Sequence, residues 1–136
     1  MATSAKRVDY LTSARRHNKD AGTLLSGGAR PNAGQLFGLS VECGVKALLV
    51  RLGAAVTVDG TVQDHKRHIP SLITEITVLP DGRPIADLHA AAPSLAKITD
   101  WAIEHRYWRA KDIPLGSLPH WQSAAKEVLA HLDNIA

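Results

Sequence analysis

The segment from Trp101 to Lys111, WAIEHRYWRAK, concentrates side chains that could bind or cleave a polyanion. It holds half of the six aromatic residues of the chain, together with a histidine, two arginines and a lysine. Arginine can hold a phosphate through two parallel hydrogen bonds, histidine can transfer a proton near neutral pH, and aromatic rings can stack on bases. The same residue types are enriched at the centres of protein interfaces, so a contact between two copies of the chain is the alternative.

Basic residues in the first part of the chain suggest a second surface. Residues 1–51 carry eight Lys and Arg against three Asp and Glu, whereas residues 52–136 carry eight against ten. Arg15, Arg16 and Lys19 lie close together in the basic part and could contact RNA or a nucleotide. On charge alone, a solvated helix face is the simpler interpretation.

The composition narrows the class of protein. With 45% hydrophobic and 21% charged residues, the sequence predicts one folded domain over residues 1–136. Cys43 is the only cysteine, which excludes an internal disulfide and a zinc site built on cysteines. His65 and His68 are close in sequence but have no evident third ligand, so we predict neither a metal nor a cofactor.

The polar N-terminus and the lack of a membrane-spanning apolar run predict no membrane association and a cytoplasmic protein.

The spacing of apolar residues predicts an all-α fold, an antiparallel bundle of about five helices. The fourth helix is expected to begin near Pro93 and to continue into the Trp101–Lys111 segment. Residues 54–64 alternate β-branched and polar residues around Asp59-Gly60, which predicts a short β-ribbon or an ordered loop. The prolines at 80 and 84 predict a turn. The predicted helices cover residues 4–25, 31–52, 69–79, 93–111 and 120–135.

The second predicted helix is apolar on most faces, which indicates the centre of the bundle. Gly34, Gly38 and Gly44 each weaken a helix, so we interpret them as sites where neighbouring elements approach closely. Glu42 and Lys46 are four residues apart in the favoured order for an ion pair inside the bundle.

The order of motifs resembles the HEPN family (higher eukaryotes and prokaryotes nucleotide-binding domains). SARRHNKDAGTLLSGGARPNAGQLFGLSVECGVKALLV is similar to the first two helices of these domains. His68, or its neighbour His65, matches a histidine at the start of the third helix, and Arg106-Tyr107 matches an Arg-Tyr pair near the end of the fourth. The matching positions in the second helix are Ser40, Glu42, Lys46, Ala47 and Leu48.

The resemblance implies a helical bundle that often forms a homodimer. Many HEPN members are metal-independent ribonucleases of toxin or defence type, whose active site is an arginine and a later histidine with four to six residues between them. Other members lack that pair and act as binding modules, often beside a nucleotidyltransferase.

The ribonuclease motif is degenerate in this chain. Arg106 stands at the position of the motif arginine, but positions 111 to 113, where the histidine is expected, hold Lys111, Asp112 and Ile113. His105 and His120 are the nearest substitutes. Arg83 and His89 satisfy the spacing earlier in the chain than the family places it.

Two functions are compatible with these residues. The first is a homodimeric RNA- or nucleotide-binding or interaction module with a degenerate ribonuclease motif. The alternative is a metal-independent endoribonuclease in which Arg106 holds the phosphate and a displaced histidine (His105, His120 or His89) carries the proton. The predicted binding residues are Arg106, Tyr107, Arg109, Lys111, Arg15, Arg16 and Lys19.

Overall fold

The structure, a computed structural model, describes residues 6–79 and 82–135, and it confirms an all-α helical bundle. Four short 3-10 segments connect the fourth helix to the fifth: Pro93–Lys97, Ile103–Tyr107, Ala110–Asp112 and Leu115–Ser117. The α-helices in the described residues are α1 (Tyr10–Ser26), α2 (Arg30–Arg51), α3 (Ser71–Thr77), α4 (Arg83–Ala91) and α5 (Leu118–Asn134).

Helix α2 lies at the centre, as its all-round apolar sequence predicted. Helices α1 and α2 form an antiparallel hairpin in which the Ser40 hydroxyl donates to the Ala14 carbonyl at 2.7 Å. Helices α2 and α5 run in the same direction, since Gly34 faces Trp121 near their starts and Gly44 faces Val128 further along. Among the described helices, α2 alone has the length and hydropathy of a membrane span, and its burial among other helices accounts for that composition.

The three glycines of α2 mark close contacts, as expected. A Cβ atom at Gly34 would lie 2.8 Å from the Trp121 ring, and one at Gly44 would lie 2.6 Å from Val128. At Gly38 a Cβ would fall 1.9 Å from Cε2 of Trp101, which is inside the indole. Absence of a side chain at these positions therefore allows both tryptophans to pack on the α2 backbone.

The predicted start of the first helix was wrong. Helix α1 begins at Tyr10 rather than near residue 4, and positions 4 and 5 lie outside the described residues. Asp9 caps the helix by accepting a hydrogen bond from the Thr12 amide at 3.0 Å. The Val8 amide donates to the Asp59 carbonyl at 2.7 Å, so the chain before α1 pairs with the loop after α2 and Val8 stays exposed.

The 54–64 region combines the two predicted alternatives. It is a loop closed by a single antiparallel bridge between Val56 and Val62. The Thr57 amide donates to the Thr61 carbonyl at 2.8 Å across the turn.

The predicted fourth helix over 93–111 was also wrong. Helix α4 lies earlier, at Arg83–Ala91, with Pro84 in its first turn, and 3-10 segments follow it. Leu95, Ile98 and Trp101 are buried at steps of three residues, a spacing that also fits one face of an α-helix, but only Leu95 lies in a 3-10 segment. Of the turn predicted over 80–84, positions 80 and 81 lie outside the described residues.

The boundaries of the third and fifth helices also differ from the prediction. Helix α3 is shorter than expected, at Ser71–Thr77. Helix α5 begins at Leu118, two residues before the predicted start, and it ends at Asn134.

Candidate functional site

Residues 106–111, which we call the basic–aromatic segment, form an exposed surface across two 3-10 segments. Tyr107 is 76% exposed and Trp108 is 48% exposed. The Arg106 guanidinium carbon lies over the Tyr107 ring, 4.8 Å from its centroid. Among the described residues neither Arg106 nor Lys111 forms an ion pair, whereas Arg109 Nε donates to Asp112 Oδ2 at 2.9 Å. Two cations of the segment are thus available to a ligand.

His105 does not share this exposure. Its ring is buried among three indoles, with centroids 6.4 Å from Trp101, 4.7 Å from Trp108 and 5.8 Å from Trp121. Its Nδ1 has no hydrogen-bond partner among the described residues. Burial lowers the pKa of His105, which favours the neutral ring. The structure therefore places the His105 ring in the core beneath the segment.

Two indole hydrogen bonds hold the chain at Asp100 and Trp101, shortly before the basic–aromatic segment. Trp101 Nε1 donates to the Gly34 carbonyl at 3.0 Å, which ties the chain to α2. Trp121 Nε1 donates to Asp100 Oδ1 at 3.0 Å, and the Ser117 hydroxyl donates to the other oxygen of the same carboxylate. The basic–aromatic segment is consequently held against the N-terminal ends of both α2 and α5.

The other predicted histidines are spread over the molecule. His120 is exposed in the first turn of α5. His89 Nε2 lies 3.1 Å from the Thr77 hydroxyl, and Arg83 is exposed at the start of the same helix, α4. Six residues along an α-helix correspond to a rise of about 9 Å and a rotation of about 240°. Arg83 and His89 therefore do not converge within one chain.

The basic residues of α1 form a separate surface. Arg15, Arg16 and Lys19 are exposed, and Arg15 forms an ion pair with Asp133 at 2.6 Å. Asp133 lies at the C-terminal end of α5, about 18 Å along the helix axis from Trp121. The structure thus does not bring Arg15 to the basic–aromatic segment.

A buried polar cluster connects α2 with the loop before α3. The Glu42 carboxylate lies 3.3 Å from the Lys46 ammonium, which confirms the predicted ion pair, and it accepts a hydrogen bond from the Ile69 amide at 3.2 Å. His68 Nδ1 lies 2.9 and 3.0 Å from the two Glu42 oxygens. The Lys46 ammonium also donates to the Lys66 carbonyl at 3.4 Å. A carboxylate only accepts hydrogen bonds, so this contact places a proton on Nδ1 of His68.

His68 lines a cavity of about 370 Å³. The cavity separates the loop before α3 from Ile103 and Glu104, which belong to the same 3-10 segment as Arg106. The His68 side chain is 54% exposed, and its Nε2 makes no hydrogen bond with the described residues. The sequence pattern indicated both Glu42 and His68 but not their contact, which joins residues 26 positions apart.

His65, in the same loop, has a comparable carboxylate partner. Its Nδ1 lies 2.7 Å from Glu75 Oε1, and Arg67 Nε lies 3.2 Å from the other oxygen. His65 lines a different and more apolar cavity, together with Leu52 and Leu79. The two histidines of this loop are therefore held in the same way but face different surroundings.

The part of the chain that the structure describes contains no group of three His, Cys, Asp or Glu side chains arranged to hold a metal ion. No family model, curated protein or solved structure matches the chain. The HEPN resemblance consequently stays a prediction that depends on the sequence motifs alone.

Proposed function

We propose that this protein is an RNA-binding module of HEPN type, in which the basic–aromatic segment contacts single-stranded RNA or a nucleotide. The observation that carries the proposal is the Arg106 guanidinium stacked on the highly exposed Tyr107 ring. A cytoplasmic location belongs to the same proposal.

The stack supports base recognition because it leaves one face of the Tyr107 ring without a guanidinium. Aromatic side chains bind unstacked bases in this way, largely independently of sequence, and a neighbouring arginine adds a cation–π contribution. Arg106 and Lys111 can at the same time approach the phosphates on either side of the stacked base. Sites for single-stranded nucleic acids commonly combine exposed cations with exposed aromatic rings, as this segment does.

A homodimer is the second part of the proposal. Trp101 is buried in the core and cannot contribute to a seam between subunits, which corrects our expectation that the whole tryptophan-bearing element forms the contact. Trp108 is half-exposed beside His105 and is the indole of the segment that remains available. We assign Trp108 to the subunit contact and Tyr107 to RNA, so that two basic–aromatic segments flank one seam.

A metal-independent endoribonuclease is the second candidate, since Arg106 is exposed and free of ion pairs among the described residues. It ranks second because His105, the histidine next to Arg106 in the sequence, is buried against three indoles. A nucleotidyltransferase-type partner protein, and with it a toxin–antitoxin role, is implied by the family resemblance alone.

The test is a binding titration with a fluorescent, unstructured RNA in the presence of EDTA, followed by electrophoresis of the same samples. Wild-type protein should bind the RNA and leave it intact. Tyr107→Ala should remove one stacking contact, of about 1–3 kcal/mol, and weaken binding about 5- to 100-fold. Arg106→Ala should weaken binding through the loss of a phosphate contact.

Arg7→Ala is the matched control for charge. Arg7 lines a cavity together with Arg51, which lies at the end of α2 about 25 Å along the helix from Gly34. Equal losses in Arg7→Ala and Arg106→Ala would indicate nonspecific attraction by net charge and would contradict the proposed site. Cleavage in EDTA that disappears in Arg106→Ala would establish the ribonuclease instead.

A further inference from the structure

The contact between Glu42 and His68 fixes which nitrogen of the histidine can meet a ligand. Nδ1 donates to the buried Glu42 carboxylate, so the neutral ring presents Nε2 as a hydrogen-bond acceptor. Glu42 is itself held by Lys46 and by the Ile69 amide, which prevents the carboxylate from turning away. The ring orientation is thus determined by buried groups, while the other edge of the ring is open to solvent.

The lining of the cavity determines what that acceptor would bind. Besides His68 it is lined by the polar residues Glu104 and Ser71 and by the apolar residues Pro70 and Ile103. An acceptor nitrogen together with a carboxylate disfavours a phosphate and favours a neutral group that donates a hydrogen bond. Arg67 is the cation of the lining, and it is engaged with Glu75.

The cavity is joined to the basic–aromatic segment through the chain. Glu104 in its wall lies two residues before Arg106 in the 3-10 segment Ile103–Tyr107. A strand whose base stacks on Tyr107 would therefore have its sugar–phosphate backbone close to the cavity. The neutral hydrogen-bond donor of that backbone is the ribose 2′-hydroxyl, which is also the group that distinguishes RNA from DNA.

We propose that His68, oriented by Glu42, is a specificity-determining residue that accepts a hydrogen bond from a ribose 2′-hydroxyl and makes binding selective for RNA. This inference rests on the proposed RNA-binding function. It adds the part of the ligand that is recognised and the residue that recognises it.

The test compares a short pyrimidine RNA with the same oligonucleotide carrying 2′-fluoro groups, which keep the sugar pucker of RNA but cannot donate a hydrogen bond. Wild-type protein should prefer the RNA by about fivefold, the value of one hydrogen bond. His68→Asn should abolish that preference by weakening the binding of the RNA more than the binding of the 2′-fluoro oligonucleotide. The shorter asparagine amide still offers Glu42 a donor, so the buried carboxylate keeps a partner.

His65→Asn is the matched control, since it removes a histidine that is held in the same way but faces the other cavity. Asparagine tolerates the left-handed conformation of position 65, where φ is 58°. The preference for RNA should persist in this variant. A preference retained in His68→Asn, or equal losses for both oligonucleotides, would overturn the inference but leave the RNA-binding proposal standing.

A spectroscopic measurement tests the orientation separately from binding. Two-bond ¹⁵N–¹H correlation spectra of wild-type protein above neutral pH should show His68 protonated at Nδ1 and unprotonated at Nε2. A proton on Nε2 would overturn the inference. Failure of wild-type protein to bind either oligonucleotide would overturn the proposed function, and the inference with it.

Discussion

The indole of Trp101 occupies the space that a side chain at Gly38 would need, since a Cβ at Gly38 would lie 1.9 Å from Trp101 Cε2 and 2.0 Å from Nε1. The indole is also anchored by its hydrogen bond to the Gly34 carbonyl, so it cannot move aside without losing that bond. This contact fixes the base of the basic–aromatic segment against α2.

Gly38→Ala should therefore destabilise the fold strongly. Overpacking at a rigid contact costs about 3 kcal/mol or more when the neighbour is a ring that cannot adjust. Gly22→Ala is the control of opposite sign, because nothing lies within 4 Å of a Cβ at Gly22 and alanine favours the interior of α1 by about 0.5–1 kcal/mol. Urea denaturation gives the free energy of unfolding of each variant. Equal changes in Gly38→Ala and Gly22→Ala would contradict the packing described for Trp101.

The buried ring of His105 should make stability depend on pH. Burial lowers its pKa below the ordinary value of 6.5, so the unfolded chain takes up a proton that the folded protein resists. The free energy of unfolding should consequently fall as the pH drops below about 6.5. His17, whose pKa is also lowered by burial, contributes in the same direction.

The contribution of His105 can be isolated by difference. The loss of unfolding free energy between about pH 7.5 and about pH 5.5 should be smaller in His105→Phe than in wild-type protein. His120→Phe, at an exposed position, should keep the wild-type dependence. An unchanged pH dependence in His105→Phe would show that this ring accepts a proton in the folded state.

Removing only one partner of the buried Glu42–Lys46 ion pair should lower the free energy of unfolding strongly. Glu42→Ala leaves the buried Lys46 ammonium without its carboxylate, and such changes destabilise by about 3–5 kcal/mol. Replacing both residues by methionine removes the unpaired charge and should recover most of the loss. Denaturation midpoints of the single and double variants test this prediction. A double variant as unstable as Glu42→Ala would contradict the proposed cost of leaving Lys46 unpaired.

Releasing Arg109 should strengthen RNA binding. Asp112→Asn removes the carboxylate that pairs with Arg109, which frees a third cation in the basic–aromatic segment, and the affinity for RNA should rise. Asp133→Asn makes the same change of charge but frees Arg15 on α1. Titrations at one salt concentration compare the two variants. A larger gain in Asp133→Asn would place the RNA on the α1 surface.

The central position of α2 could be predicted from the sequence because the residue types of the helix themselves indicate burial. A helix that is apolar on nearly all faces must be buried, and its glycines require close neighbours whichever element supplies them. The region after α4 could not be predicted in the same way. Steps of three residues between Leu95, Ile98 and Trp101 fit an α-helix, but the helical segment ends at Lys97, and Trp101 packs on Gly38 from outside any helix.

The same distinction applies to the candidate site. The exposure of Tyr107 and Arg106 accords with their concentrated charge and aromatic character, whereas the burial of His105 depends on Trp121, which lies 16 positions later in the chain. The contact between Glu42 and His68 depends on the path of the intervening loop, which a local pattern does not specify. Local sequence thus indicated the residue types of the site, and tertiary packing decided which histidine is accessible.

Photo-crosslinking tests the central claim most directly, because it locates the RNA on the protein. A single-stranded RNA containing 4-thiouridine would be bound to wild-type protein, irradiated and digested, and the linked peptides would be identified by mass spectrometry. The proposal predicts that the linked peptide contains Tyr107. Links confined to the α1 peptide that carries Arg15, Arg16 and Lys19, or no link despite saturating RNA, would contradict the assignment of the basic–aromatic segment as the RNA-binding site.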